Sequence, residues 1–203
     1  MVTVSQAASL NVMVSPRGSS QDGGNADNAP ESLYGTMTDL TGSQYGISNT
    51  TGVLMNDGLV TSIGVAVYDV TFSNHPEFGD ISFDLTVTAG ADGDSAGLLY
   101  DGGNKYFWSV DTGSDDSFGS AVDEAGDQSR IRGGEYVSFE VSNLRSSLNH
   151  VDVSFDGFTG LTVSQNGSFD ADSGVFTGAD GNGGRINQLQ FDLEVTAVPE
   201  PSS

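Results

Sequence analysis

The segment Tyr100-Asp101-Gly102-Gly103-Asn104-Lys105-Tyr106-Phe107-Trp108 sets the only tryptophan of the chain beside two tyrosines, with an acid, an amide and a lysine interleaved. Aromatic rings stack on the apolar faces of sugar rings, while nearby amides and carboxylates exchange hydrogen bonds with hydroxyls. Tyr100, Asp101, Asn104, Tyr106 and Trp108 are therefore the candidate ligand-binding residues. Alternation along a strand puts Tyr106 and Trp108 on one face and Phe107 on the other. Either that pair faces solvent over a Phe107 core, or Trp108, of a type usually largely buried, is itself the core residue.

Oxygen-rich turns suggest a second chemistry. A hard cation such as Ca2+ takes about six to eight oxygens from carboxylates, amides and carbonyls. Three loops could supply them: Ala91-Asp92-Gly93-Asp94 with Asp101 to Asn104, Asp111 with Asp115 and Asp116, and Asp170-Ala171-Asp172 with Asp180-Gly181-Asn182. None has the glycine and terminal glutamate of an EF-hand loop, and Asp and Asn also serve as plain turn formers. Asp92, Asp94 and Asp180 are the metal candidates, with a structural Ca2+ as the expected cofactor.

Catalytic constellations are sparse. Asp123-Glu124-Ala125-Gly126-Asp127 has carboxylates, but glycine and alanine place them in a loop, not on a strand that would aim two acids into one cleft. The two histidines are His75, in the turn signal Ser73-Asn74-His75-Pro76-Glu77, and His150, ahead of a strand. His150 has no acidic partner in local register, and each histidine reads as a surface turn residue rather than a base. No Gly-x-Ser-x-Gly followed by a helix and no Gly-x-x-x-x-Gly-Lys loop occurs. The expectation is a protein that is not an enzyme.

Composition sets the context. The chain has 203 residues, enough for one large core. Its 28 acidic residues against six Lys plus Arg give a formal charge of −22. The basic residues form no patch along the sequence, which argues against nucleic acid or anionic lipid as a partner. Such a charge keeps a protein soluble and attracts cations. The absence of cysteine removes disulfides, thiolate metal sites and thiol nucleophiles together.

Period-two alternation dominates the apolar clusters, and no helical stripe persists over three turns. The clearest strand is Ile81-Ser82-Phe83-Asp84-Leu85-Thr86-Val87-Thr88, its apolar set inward and its polar set outward. Residues 10–14, 66–72, 137–141, 151–155 and 189–195 read the same way. Gly, Asp, Asn and Ser clusters punctuate them, and with 28 glycines they indicate an all-β antiparallel sandwich, with a jelly roll as the expected topology. The phrases Phe83-Asp84-Leu85-Thr86-Val87-Thr88-Ala89 and Phe191-Asp192-Leu193-Glu194-Val195-Thr196-Ala197 are nearly identical and fit two strands obeying one pattern. Residues 15–28 and 113–134 read as exposed loops, where a rigid sandwich usually carries its ligand.

Two resemblances add an address. Val198-Pro199-Glu200-Pro201-Ser202-Ser203 resembles the bacterial PEP-CTERM sorting signal, whose Pro-Glu-Pro box precedes a membrane helix and an Arg cluster. Neither follows Ser203. The resemblance implies export to the surface of a Gram-negative, exopolysaccharide-making bacterium, an exosortase partner for the full-length precursor, and membrane attachment only through a further C-terminal segment. Val4-Ser5-Gln6-Ala7-Ala8 is similar to the end of a signal-peptidase site. The domain reading is 1–7 as the cleavage region, 8–197 as one sandwich domain and 198–203 as the start of the sorting signal. The body resembles carbohydrate-binding modules and lectin-like sandwiches. Together these imply a secreted, non-catalytic binder of extracellular polysaccharide. A calcium-dependent self-associating matrix protein is the alternative, and a polysaccharide hydrolase or lyase ranks third.

Overall fold

Alternation resolves into strands wherever it was strongest. The computed structural model describes residues 7–17, 32–55, 64–91, 97–99, 108–111, 130–180 and 183–197. Twelve strands run through them. The first five are β1 (Ala7–Arg17), β2 (Ser32–Thr38), β3 (Gln44–Met55), β4 (Val65–His75) and β5 (Gly79–Ala91). Next come β6 (Gly97–Leu99), β7 (Ser109–Asp111), β8 (Glu135–Ser146) and β9 (Val151–Gln165). The last are β10 (Gly167–Asp170), β11 (Val175–Gly178) and β12 (Gly184–Ala197). No described helix is long and apolar enough to cross a membrane.

Ten strands form one antiparallel sheet in the order β10-β11-β8-β5-β4-β3-β2-β1-β12-β9, with β6 and β7 pairing separately. The all-β antiparallel expectation holds. A jelly roll would send consecutive strands to opposite layers, whereas here β1 to β5 are successive neighbours. The short connections at 39–43 and 76–78 leave too little chain to cross between layers, so the strands they join pair as hairpins.

The sheet folds over on itself along β3. Gln44 to Gly46 pair with β2, while Ile47 to Met55 pair with β4, with a register irregularity between Ile47 and Asn49. One layer is β2-β1-β12-β9, and the other is β4-β5-β8-β11-β10. Leu10, Val12 and Val14 of β1 and Leu189, Phe191, Leu193 and Val195 of β12 are fully buried against Phe72, Phe83, Leu85 and Val87 of the facing layer. Removing such side chains from water contributes about 1.5–3 kcal/mol each. The two repeated phrases meet here: Phe83 of β5 and Phe191 of β12 pack edge to face at 5.3 Å. Asp84 and Asp192, one residue on, take the opposite outward faces.

Registers place the two poles of the sandwich. Ala7 pairs with Thr196 and Val151 with Ala197, so the start of β1, the end of β12 and the β8–β9 turn share one pole. Gly184 pairs with Gln165, and Ala91 with Glu135, at the other pole. The second pole also holds the isolated bridges Trp108 to Ile186, Ile131 to Gly184 and Arg132 to Ala179.

Candidate ligand-binding site

Tyr136, the second residue of β8, lies opposite Gly90 of β5 and Thr177 of β11. Its ring fills the space that a side chain at Gly90 would occupy, so that glycine is what lets the tyrosine lie down on the sheet. The residue remains 37% exposed. Beside it, Gly134, Glu135, Val175 and Thr177 complete an open groove of about 340 Å³. That volume is at the lower end of small-ligand sites, and an aromatic face flanked by a carboxylate and a hydroxyl is the pairing such sites use.

A tight turn fixes the rim. The Glu135 N–H donates to the Arg132 carbonyl at 3.0 Å, and the Arg132 N–H donates to Glu135 Oε2 at 2.7 Å. Asp180 lays its carboxylate against Gly133, where any side chain would displace it. Arg130 and Arg132 flank Ile131 beside this turn. Ile131 exchanges both backbone hydrogen bonds with Gly184, at 2.7 and 2.8 Å, which sets Arg130 opposite Arg185. Ile131, Gly184 and Ile186 are buried, so Arg185 projects outward between the last two, and the Arg132 side chain lies against Gly183.

Of the eight ligand and metal candidates named from sequence, Trp108 and Asp180 are described. Trp108 lies in the core, fully buried. It exchanges hydrogen bonds with Ile186 at 2.8 and 3.0 Å, packs edge to face on Phe139 at 5.3 Å, and donates its indole N–H to Tyr68 Oη at 3.4 Å. Burial pushes the Tyr68 phenol far above its ordinary range. Trp108 thus offers no face to a ligand: a ring of this size gains most by filling the interior. Asp180 sits at the rim as described. Tyr100, Asp101, Asn104, Tyr106, Asp92 and Asp94 lie outside the described residues, as do Asp123 and Glu124. Among the described residues no group of three or more His, Asp or Glu side chains is arranged to hold a metal. Asp170 is a turn former: Oδ2 accepts from Ser173 Oγ at 2.8 Å and Oδ1 from the Asp172 N–H at 3.0 Å. Those donors, the Ser173 hydroxyl foremost, hold its carboxyl below the usual carboxylate range.

Sequence reasoning missed a polar cluster at the opposite pole. His75 is only 5% exposed, stacked on Phe78 at 4.5 Å with Tyr45 at 4.8 Å. Its Nδ1 accepts from the N–H groups of Glu77 and Phe78 at 3.3 and 3.2 Å, which assigns the ring hydrogen to Nε2, 3.7 Å from Asp39 Oδ2. Asp39 Oδ1 gathers Thr41 Oγ1 and the N–H groups of Thr41 and Ser43 at 2.6, 2.9 and 2.9 Å, and Oδ2 accepts from Tyr45 at 3.3 Å. The Thr41 hydroxyl leads in lowering the Asp39 pKa. Burial lowers that of His75, against the opposing pull of Asp39 and Glu77, and burial followed by the Asp39 charge raises that of Tyr45. A metal-binding histidine presents a bare nitrogen outward and donates from the other. Here the bare nitrogen is turned inward to two backbone donors, so the arrangement ties the 39–43 turn to the 75–79 turn and suits no cation.

Set against family models, curated proteins and solved structures, the chain matches none of them.

Proposed function

We propose that the protein is a non-catalytic β-sandwich that binds extracellular polysaccharide at the cell surface or within an exopolysaccharide matrix. The observation that carries this reading is the groove at Tyr136, where an aromatic ring held flat by Gly90 stands beside Glu135 and Thr177. A sugar ring would lay its apolar face on the tyrosine while its hydroxyls exchange hydrogen bonds with the carboxylate and the threonine. The acidic composition and the Val198-Pro199-Glu200-Pro201 tail fit an exported, exosortase-processed protein. A structural Ca2+ would belong to the loops around Asp92 and Asp94.

The test is retention on immobilised acidic and neutral polysaccharides, with calcium and again with chelator. Tyr136→Ala is expected to weaken retention by about tenfold, the scale of one aromatic contact of ~1.4 kcal/mol. Tyr34→Ala, which removes a 49% exposed aromatic on the other layer, should leave it unchanged. Equal loss in both variants, or no retention of the unaltered protein, would overturn the groove as the site.

A further inference from the structure

We infer that the open edge of β9 is a docking site for a protein partner, which adds to the sheet an extended segment of alternating apolar and basic residues. Among the described residues the ten-stranded sheet ends at β9 on one side and at β10 on the other. β10 has 4 residues, whereas β9 has 15 and pairs with β12 alone. An unpaired edge is a row of backbone donors and acceptors open to another strand, and proteins guard it with brevity, lysine, proline or a bulge. β9 is long and holds neither lysine nor proline. Its register skips Asp156 and Thr159, which leaves Val151 to Phe155 in unbroken pairing with Ala197 to Leu193.

The side chains of this stretch divide by face. Val153 and Phe155 sit opposite the buried Val195 and Leu193 on the inner side, yet Val153 is only half-buried and Phe155 is 36% exposed. Phe155 lies 4.9 Å from Phe158 and 6.0 Å from Phe191, so a row of rings leads from the core out to the edge. β8 and β9 follow one another through the 147–150 turn without pairing. From Glu140 to Ser146, β8 in turn has a neighbour only in β5, and its Val141 and Leu144 are half-buried. Apolar side chains left uncovered beside free backbone groups are what strand addition uses: the main chain supplies affinity and alternate side chains supply specificity.

Charge selects the occupant. Asp152, Asp156 and Glu194 are exposed at this edge, Glu194 from the β12 position opposite Ser154. From Ser146 to Gly184 the chain has five acids and no Lys or Arg. A second copy would set these acids against themselves in a chain of net charge −22, whereas a basic strand meets them with opposite sign. Alternation then dictates the partner's pattern, with apolar residues over Val153 and Phe155 and Lys or Arg on the outward face beside Asp152 and Glu194. This edge lies toward the pole remote from Tyr136, so partner and glycan do not compete for space.

The probe is a peptide of about nine residues alternating valine and lysine, long enough to span the roughly 17 Å of five paired residues. Its binding to the full chain is read by fluorescence anisotropy. The controls are a valine and glutamate twin and a copy N-methylated throughout, which keeps the charge but has no N–H to donate. The plain peptide should bind at least about tenfold tighter than either control. Phe155→Ala and, separately, D152N/D156N/E194Q should each weaken it about tenfold, and the second set, wholly at the surface, guards against misfolding of the first. Tyr34→Ala, an exposed aromatic on β2, should leave it unchanged. Equal binding of plain and methylated peptides would reduce the contact to charge attraction and overturn strand addition, as would no binding of the plain peptide. A parent chain that sediments as a dimer, with Phe155→Ala a monomer, would give the edge to a second copy and overturn the basic partner.

Discussion

His75 links side-chain chemistry to the stability of a turn. Its Nδ1 can accept the two N–H groups of Glu77 and Phe78 only while it is unprotonated. Protonation would aim a third donor at those two, in a site that burial already makes unfavourable for charge. The folded pKa therefore lies below the ordinary value of about 6.5, and between the two values the unfolded chain binds the proton that the folded chain refuses. The contribution of His75 is fully present above the unfolded pKa and is lost as pH falls through the folded one. Urea midpoints measured across this window should decline with acidification. In His75→Asn, whose side-chain oxygen takes the place of Nδ1 without titrating, this decline should vanish, and a decline of equal size in the variant would refute the assignment. The sequence placed His75 in a turn through its neighbour Pro76, whereas it closes β4 immediately before the 76–78 turn. Its burial and its approach to Asp39 were hidden, because they depend on which turns share a pole. Trp108 shows a similar limit: alternation separates it from Phe107, but only the facing layer decides which of the two is inside.

At the scale of elements, legibility followed the regularity of the pattern. β5 and β12 declared themselves because each is paired on both sides and buries every second residue over Phe83–Ala89 and Leu189–Val195. β3 did not, since it serves two layers and its Tyr45 and Ile47 are only half-buried. β9 was read over its first five residues alone. It continues to Gln165 through Gly157, at φ 130°, and Gly160, and the irregularities opposite them break the period of two. Phe155 accordingly stands 36% exposed where alternation had put it inside. The β10–β11 hairpin depends on a glycine in a way sequence hints at but cannot price. Gly174 sits at φ 68°, and a methyl group there would meet the Phe158 ring and the Phe139 carbonyl, to which the layers are packed. Gly174→Ala should destabilise the fold by about 1–3 kcal/mol, read as a lower denaturant midpoint with an unchanged slope. A midpoint within error of the parent would show that the hairpin yields without strain.

Taken as a whole molecule, the chain carries 22 net negative charges on a fold described almost entirely as sheet, and self-repulsion works against the compact state. Adding NaCl from about 0.02 to 0.5 M shortens the screening length severalfold, so the thermal midpoint should rise. CaCl2 at equal ionic strength should raise it further if a loop binds the cation, and equally if screening is all that acts.

The two poles carry a geometric consequence. β12 alone crosses from Gly184 to Ala197, 14 residues, or about 45 Å of extended chain. The groove lies at one end of that span and both outermost described strand ends at the other. Anything that grips the protein through the residues after 197 therefore holds it by the heel. The tyrosine groove is then lifted to the tip, free to sweep the surrounding volume, and a tether at that end takes no room from the ligand.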